Sequence, residues 1–280
     1  MKLTVLSGKG GTGKTTVSTN LALSLDNVQF FDADVEEPNS YIFIKPDFGR
    51  DYQQVLRKVP IVEQNRCTAC RKCVDFCEYN ALVLLSEEVL VIEEMCHSCG
   101  GCKYICPEDA ISEKDKEAGK IKVDKSVNGM EFWQGELNIG EASAVPVIEA
   151  LNQNISQNKT VIMDAPPGTT CPTIAAITDA DYCILVTEPT PFGLHDLKMA
   201  VEVVKELAKP YGIIINRSEE EADKLIEEYA IDENSDILLK IPFKREIAEL
   251  YSEGISFVEE MPEWKEKFKE VFAQIEQVIK

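Results

Sequence analysis

Eight of the ten cysteines fall into two copies of one spacing, Cys67, Cys70, Cys73, Cys77 and Cys96, Cys99, Cys102, Cys106. Each copy reads CxxCxxCxxxC, the run in which three cysteines hold one cubane and the fourth reaches the neighbouring cluster. The ligand sets this implies are Cys67, Cys70, Cys73 with Cys106, and Cys96, Cys99, Cys102 with Cys77. Because each set borrows a thiolate from the other copy, the two halves must fold together. Pro107 follows Cys106 as the run expects, whereas Glu78 follows Cys77, a departure that leaves every ligand in place. Structural zinc normally takes four ligands per site, and disulfides need an oxidising compartment. Doubled triplets at this spacing favour two [4Fe-4S] clusters over either. His97 stands beside a complete thiolate set and reads as a surface residue or a neighbour of the ligands.

A second signature opens the chain. Residues 2–6 read as a buried strand, and residues 8–15 then lead into a helix carrying Val17, Leu21 and Leu25. Gly8, Lys9, Gly10, Gly11, Thr12, Gly13, Lys14 and Thr15 match GxxxxGK[ST], with Thr16 next in line. Its glycines let backbone N–H groups cradle phosphates while the lysine and threonine serve the terminal phosphates and Mg2+. Downstream, an apolar strand at 161–163 ends in Asp164, the expected second carboxylate on the magnesium side. Pro166, Pro167 and Gly168 follow as a loop able to sense a γ-phosphate.

Further β-rich apolar runs lie at 28–31, 182–186, 212–215 and 237–241, most of them separated by segments of helical spacing. That alternation predicts an α/β fold, a mostly parallel sheet with helices on both faces. Between 51 and 121 the rhythm stops, and the cysteine block takes over as a small inserted module of bacterial-ferredoxin type. The expected organisation is residues 1–60 and 116–280 for the nucleotide-binding domain and 61–115 for the insert. The two cysteine runs are offset by 29 residues, as a pseudo-symmetric module requires, and residues 114–120 read as a returning linker.

Charge narrows the range of partners. The chain of 280 residues carries a formal charge of -20. Within 61–115 eleven acidic residues face five basic ones. Such a balance argues against a nucleic-acid surface and disfavours an anionic membrane. No apolar run of about 18 residues is present, and the apolar start is too short for a signal peptide. With reduced thiolates, the expectation is a cytoplasmic protein.

GKGGTGKT with a lysine directly after its first glycine, the FDAD segment at 31–34, DAPPGT at 164–169 and INR at 215–217 resemble the deviant Walker A ATPases. That class includes MinD, ParA, the Mrp-type iron-sulfur carriers and the nitrogenase iron protein. Over essentially its full length the chain is similar to MinD-superfamily ATPases with an inserted ferredoxin domain. The resemblance implies a homodimer sandwiching two ATP molecules, with Lys9 crossing to the phosphates of the other subunit. Lys14 would hold the β and γ phosphates and Thr15 the Mg2+. Asp34 would orient the attacking water, Asp32 and Asp164 would support the magnesium shell, and Asn216 would read the adenine edge. Lys9, Lys14 and Asp34 would then be the catalytic residues.

Cys171 lies at the spacing of a bridging-cluster ligand in the nitrogenase iron protein, but the second such ligand is missing, since 128–143 contains no cysteine. Burial as a small apolar side chain is the alternative for Cys171 and the expectation for Cys183. The CxxC of the Mrp-type carriers is also absent. Trp264, Phe268, Val271, Phe272, Ile275 and Ile279 form an apolar stripe whose mixed-charge opposite face favours core packing over a membrane-surface helix. Three roles for the ATP cycle remain open: electron transfer to a metalloprotein partner, assembly or delivery of iron-sulfur or mixed-metal cofactors, and MinD-like spatial positioning.

Overall fold

The computed structural model describes residues 1–279. In chain order its strands are β1 (Lys2–Leu6), β2 (Val28–Asp32), β3 (Gln53–Val62), β4 (Leu82–Leu85), β5 (Glu88–Val91), β6 (Ile111–Val127), β7 (Met130–Leu137), β8 (Thr160–Asp164), β9 (Tyr182–Thr187), β10 (Tyr211–Ser218) and β11 (Ile237–Pro242). The helices are α1 (Lys14–Ser24), α2 (Tyr41–Ile44), α3 (Lys72–Phe76), α4 (Gly101–Ile105), α5 (Val145–Asn152), α6 (Cys171–Ile177), α7 (Pro191–Glu206), α8 (Glu220–Asp232), α9 (Arg245–Ser252), α10 (Phe257–Glu260) and α11 (Pro262–Ile279).

Nine strands make one sheet in the order β11-β10-β9-β1-β8-β2-β7-β6-β3, while β4 and β5 form a separate hairpin. From β11 to β7 all neighbours are parallel, and β6 and β3 add an antiparallel edge. Every residue of β1, β2 and β9 is buried, which is why these strands read as continuous apolar runs. Side chains alternate between two cores. Leu6, Phe31, Cys183 and Leu185 face α5, α6, α7 and α8, whereas Leu3, Val5, Phe30 and Ile184 face α1, α9, α10 and α11. Helices thus cover both faces, as an α/β sheet demands.

The stripe on α11 is interior. Trp264, Phe268, Val271 and Ile275 are buried in the second core, and Phe272 and Ile279 pack against it. Among the described residues no helix is long and apolar enough to cross a membrane.

The expected linker at 114–120 is not one: it lies inside β6, a strand of 17 residues that pairs with β3 from Gln53↔Ile121 to Val62↔Ile111. β3 is the edge strand and β6 lies next to it; both mix buried with exposed residues, so neither gives an apolar run. Pro60 is tolerated because an edge strand leaves ladder positions unpaired. The ends of β3 and β6 carry the cysteine module on two adjacent strands, and Val59 and Ile111 pack into it.

Candidate functional site

The strand-to-helix turn after β1 opens onto a large cavity. Gly11 and Gly13 take φ of 82° and 92°, the left-handed region that glycine enters without strain. Gly13 is the residue before α1, so the first N–H groups of that helix face the loop, an arrangement suited to an anion. A cavity of about 420 Å³ is lined by Gly10, Gly11, Gly13, Lys14, Thr15, Thr16, Asp34 and Asn216. Arg217, the last residue of INR and near the end of β10, also lines it, as do Phe243, Ile247 and Tyr251 on the segment after β11, three residues that sequence reasoning missed. The only sequence signal of those three is that they follow a strand's C-terminal end, where open α/β sheets bind ligands.

Beneath the cavity, four charged groups converge. The Lys14 ammonium lies 3.2 Å from Asp164 and 3.6 Å from Asp34. Thr15 Oγ1 donates to Asp164 Oδ2 at 2.7 Å. Asp32 and Asp164 are register neighbours on β2 and β8, and Asp32 accepts backbone N–H bonds from Asp34, Asn39 and Ser40 at 3.0–3.2 Å. Burial, then the adjacent Asp164 carboxylate, push the Asp32 carboxyl up to about 7 against the Ser40 N–H and Lys14. Burial likewise raises Asp34 to about 6, although Lys14 pulls it down. Burial works against the charge on Lys14, but Asp164, Asp34 and Asp32 outweigh it and hold the ammonium above its ordinary value. Two buried carboxylates, Asp32 and Asp164, and the half-buried Asp34 surround one ammonium and a hydroxyl, an oxygen-rich set with surplus negative charge that could hold a hydrated Mg2+ through its waters.

The remaining expected residues are more dispersed. Lys9 projects beside Asp196 of α7 at 3.6 Å, partly exposed. Gly8 is required there, since a Cβ would lie 2.1 Å from the Asp196 carbonyl oxygen. Gly168 (φ 89°) donates its N–H to the Ser7 carbonyl at 3.0 Å, tying the loop after β8 to the phosphate loop. Asn216 lines the cavity, and its amide donates to the Thr12 carbonyl at 2.8 Å, so it also braces the phosphate loop.

The eight paired cysteines divide between two cavities. One is lined by Cys67, Cys70, Cys73 and Cys106, the other by Cys77, Cys96, Cys99 and Cys102. Local backbone repeats at the same offset of 29 residues. Ala69, Arg71 and Asn80 have positive φ, and so do Ser98, Gly100 and Asp109. The Ala81 N–H donates to Cys77 Sγ and the Ala110 N–H to Cys106 Sγ, both at 3.4 Å. Leu82, Val89 and Ile111 pack around the thiols. Burial pushes the Cys102 thiol up to about 11 and Cys73 in the same direction, so ionising them needs a cation in contact. Among the described residues no three ligating side chains converge on a point that one ion could fill. His97 stacks on Tyr79 with ring centroids 3.6 Å apart. Cys171 is exposed at the start of α6, and Cys183 is buried in β9 with its thiol pushed by burial to about 12.

The family model described as CbiA, the CobQ/CobB/MinD/ParA nucleotide binding domain, matches residues 3–257. An uncharacterized protein of Methanocaldococcus jannaschii is 33% identical over 267 residues, covering 92% of this chain and 91% of that one. The iron-sulfur cluster carrier protein of Pyrococcus horikoshii is 25% identical over 226 residues, with 76% of this chain matched to 60% of the carrier. Among solved structures, the septum site-determining protein MinD complexed with Mg-ADP, also from Pyrococcus horikoshii, superposes with a TM-score of 0.58 at 19% identity, over 99% of this chain and 95% of that one. That likeness is one of fold.

Proposed function

The chain belongs to the CobQ/CobB/MinD/ParA nucleotide-binding family, and on that premise we propose that it is a dimeric, ATP-hydrolysing switch carrying two [4Fe-4S] clusters per subunit. The switch couples nucleotide state to electron transfer toward a metalloprotein partner. One observation carries this reading: a module whose eight cysteines line two four-cysteine cavities hangs on two strands of the nucleotide-binding sheet.

In this reading the N–H groups of the loop at 8–15 hold the polyphosphate, and Lys14 turns from its carboxylates toward the β and γ oxygens. Thr15 would hold Mg2+, with Asp32 and Asp164 placed to bind its waters. Asp34, whose raised carboxyl is close to a proton acceptor's working range, orients the attacking water. Lys9, partly exposed at the rim, reaches across to the phosphates of a second copy and offsets charge that develops there. Cys67, Cys70, Cys73 and Cys106 would hold one cluster, and Cys77, Cys96, Cys99 and Cys102 the other. When bound, such clusters supply one-electron storage at a potential set by hydrogen bonds to sulfur and by burial. The amide-to-sulfur bonds at Cys77, Cys96 and Cys106 suit that task.

Anaerobically purified protein should contain iron and sulfide equivalent to two cubanes per chain. Stopped-flow mixing with a metalloprotein acceptor should oxidise the reduced clusters faster with ATP than with ADP. Absence of sulfide, or equal rates, would reject the proposal. The similarity to an iron-sulfur cluster carrier favours cofactor delivery as a second reading, which predicts transfer of labelled iron to an apo-acceptor during turnover. MinD-like positioning at a membrane gains nothing from α11, whose apolar stripe is in the core.

A further inference from the structure

Arg57 is buried on β3, a sheet-edge strand, at a position flanked on its own face by Val55 and Val59. Its guanidinium donates in two directions. Nε meets the Glu141 carboxylate, on the loop between β7 and α5, and both side chains are nearly sealed from solvent, 3% and 4% exposed. Nη1 donates to the Cys96 carbonyl at 3.0 Å and to Ser98 Oγ at 3.4 Å, and Nη2 donates to the Glu93 carbonyl at 2.8 Å. The Ser98 N–H in turn bonds Cys96 Sγ at 3.4 Å. Lys116, opposite Arg57 in the ladder, reaches the second Glu141 oxygen at 3.3 Å.

The other end of this contact leads toward the cavity lined by Lys14 and Asp34. At the start of the Glu141 loop, the Leu137 N–H donates to the Val35 carbonyl at 2.8 Å. At its end, Ala144 lines a cavity with Asp34, Val35, Pro166 and Pro167. Asp34 stands 3.6 Å from Lys14. A continuous path of ion pair, backbone hydrogen bond and covalent chain therefore runs from Lys14 through Asp34 and Val35 and the segment 137–141 to Glu141, Arg57 and the backbone around Cys96.

Among the described residues the first cysteine run has no buried charged side chain of the sheet bonded to its backbone; Val62 and Ile111 at the strand ends pack against it. At the matching offset, Gln64 bonds the backbone of Val89, and Arg66 bonds the Glu108 carbonyl, both within the module itself. The guanidinium fork fixes its donors in one plane, so it cannot follow Glu141 without pulling on the carbonyls at 93 and 96. Neither buried charge can be left unpaired cheaply.

We infer that the Arg57–Glu141 pair is the strut through which nucleotide state reaches the module, and that it acts on the Cys77/Cys96/Cys99/Cys102 cavity and not on the Cys67/Cys70/Cys73/Cys106 cavity. This rests on the nucleotide-switch reading above. The test is amide hydrogen exchange of the full, cluster-loaded chain with and without Mg-ATP, nucleotide binding being measured calorimetrically on the same samples. ATP should change exchange across residues 93–99 by about tenfold, the scale of an ordinary coupling between sites, and leave residues 64–70 unchanged. Glu141→Gln and Arg57→Lys should abolish that difference while ATP still binds. An equal response in both runs, no response at 93–99 in ATP-bound protein, or a full response in both variants would overturn the strut. If the unmodified chain does not bind ATP, the switch reading falls and the strut with it. Where Arg57→Lys does not fold, Ser98→Ala, which removes one bond of the strut, should still reduce the response.

Discussion

Replacing Gly13 by alanine should damage the phosphate loop by a route that a second substitution can isolate. Gly13 stands at φ 92°, and a Cβ there would lie 2.1 Å from Asn216 Nδ2. An L side chain in the left-handed region costs roughly 1–2 kcal/mol. The clash also expels the Asn216 amide from the buried Thr12 carbonyl, which costs about 1–3 kcal/mol more. Gly13→Ala should therefore lose about 2–5 kcal/mol, the sum of those two ranges. Asn216→Ala should lose only the hydrogen bond. In the double variant the methyl meets nothing and the bond is already absent, so its cost should match Gly13→Ala alone and fall short of additivity by about 1–3 kcal/mol. Urea denaturation of the nucleotide-free proteins supplies the cycle, and calorimetric titration with Mg-ATP and Mg-GTP supplies the functional side. If Asn216 works through the loop, Asn216→Ala weakens both nucleotides alike. Strictly additive stabilities would refute the brace, and a changed ATP/GTP ratio would assign Asn216 to the base instead.

Asp32 and Asp34 retain protons in the folded chain, to about pH 7 and about pH 6, that the unfolded chain releases near pH 4. Stability of the nucleotide-free protein should consequently fall as pH rises from about 4 to about 7, before the Lys2 ammonium, lowered by burial to about 8, starts to raise it again at higher pH. The lowered carboxyls of Glu131 and Glu136 act only below their ordinary value, outside that window. A urea midpoint higher at pH 5 than at pH 8, with the difference reduced in Asp32→Asn, is the expected result. Cys106→Ala should remove the same EPR signal as Cys67→Ala, and Cys77→Ala the same signal as Cys96→Ala, because the cavities exchange their fourth cysteines; loss within a single run would contradict that grouping. Phe268→Ala, at a fully buried position on α11, should cost about 3–5 kcal/mol by chemical denaturation and create no affinity for liposomes.

Much of the fold was legible because its central strands are buried on both faces. Apolar runs such as LTVL in β1 and YCILV in β9 could hardly be anything else once a glycine loop follows the first. The alternation of such runs with helical spacing then implied a parallel sheet with two helical layers. The antiparallel edge was not legible. The sequence ISEKDKEAGKIKVDKSV of β6 carries charge at most positions, since a largely exposed strand next to the sheet edge needs no continuous apolar run, and its pairing with β3 spans some fifty residues of intervening chain. The same blindness hid Arg57. A charged residue in a strand reads as solvent-facing until its carboxylate is known, and Glu141 is distant in sequence.

What the residues alone determined is the set of chemical types and their local spacing: the phosphate loop, the acidic strand ends and two thiolate runs, all short-range patterns dictated by backbone geometry. Tertiary structure decided which distant groups meet. It brought Asp34, Asp164 and Lys14 under one cavity, used Asn216 as a brace, and tied one cysteine run to the sheet through the Arg57 hydrogen bonds to the Glu93 and Cys96 carbonyls, with Arg57 itself held by Glu141. Such long-range contacts depend on chain topology and on burial, which no local pattern encodes.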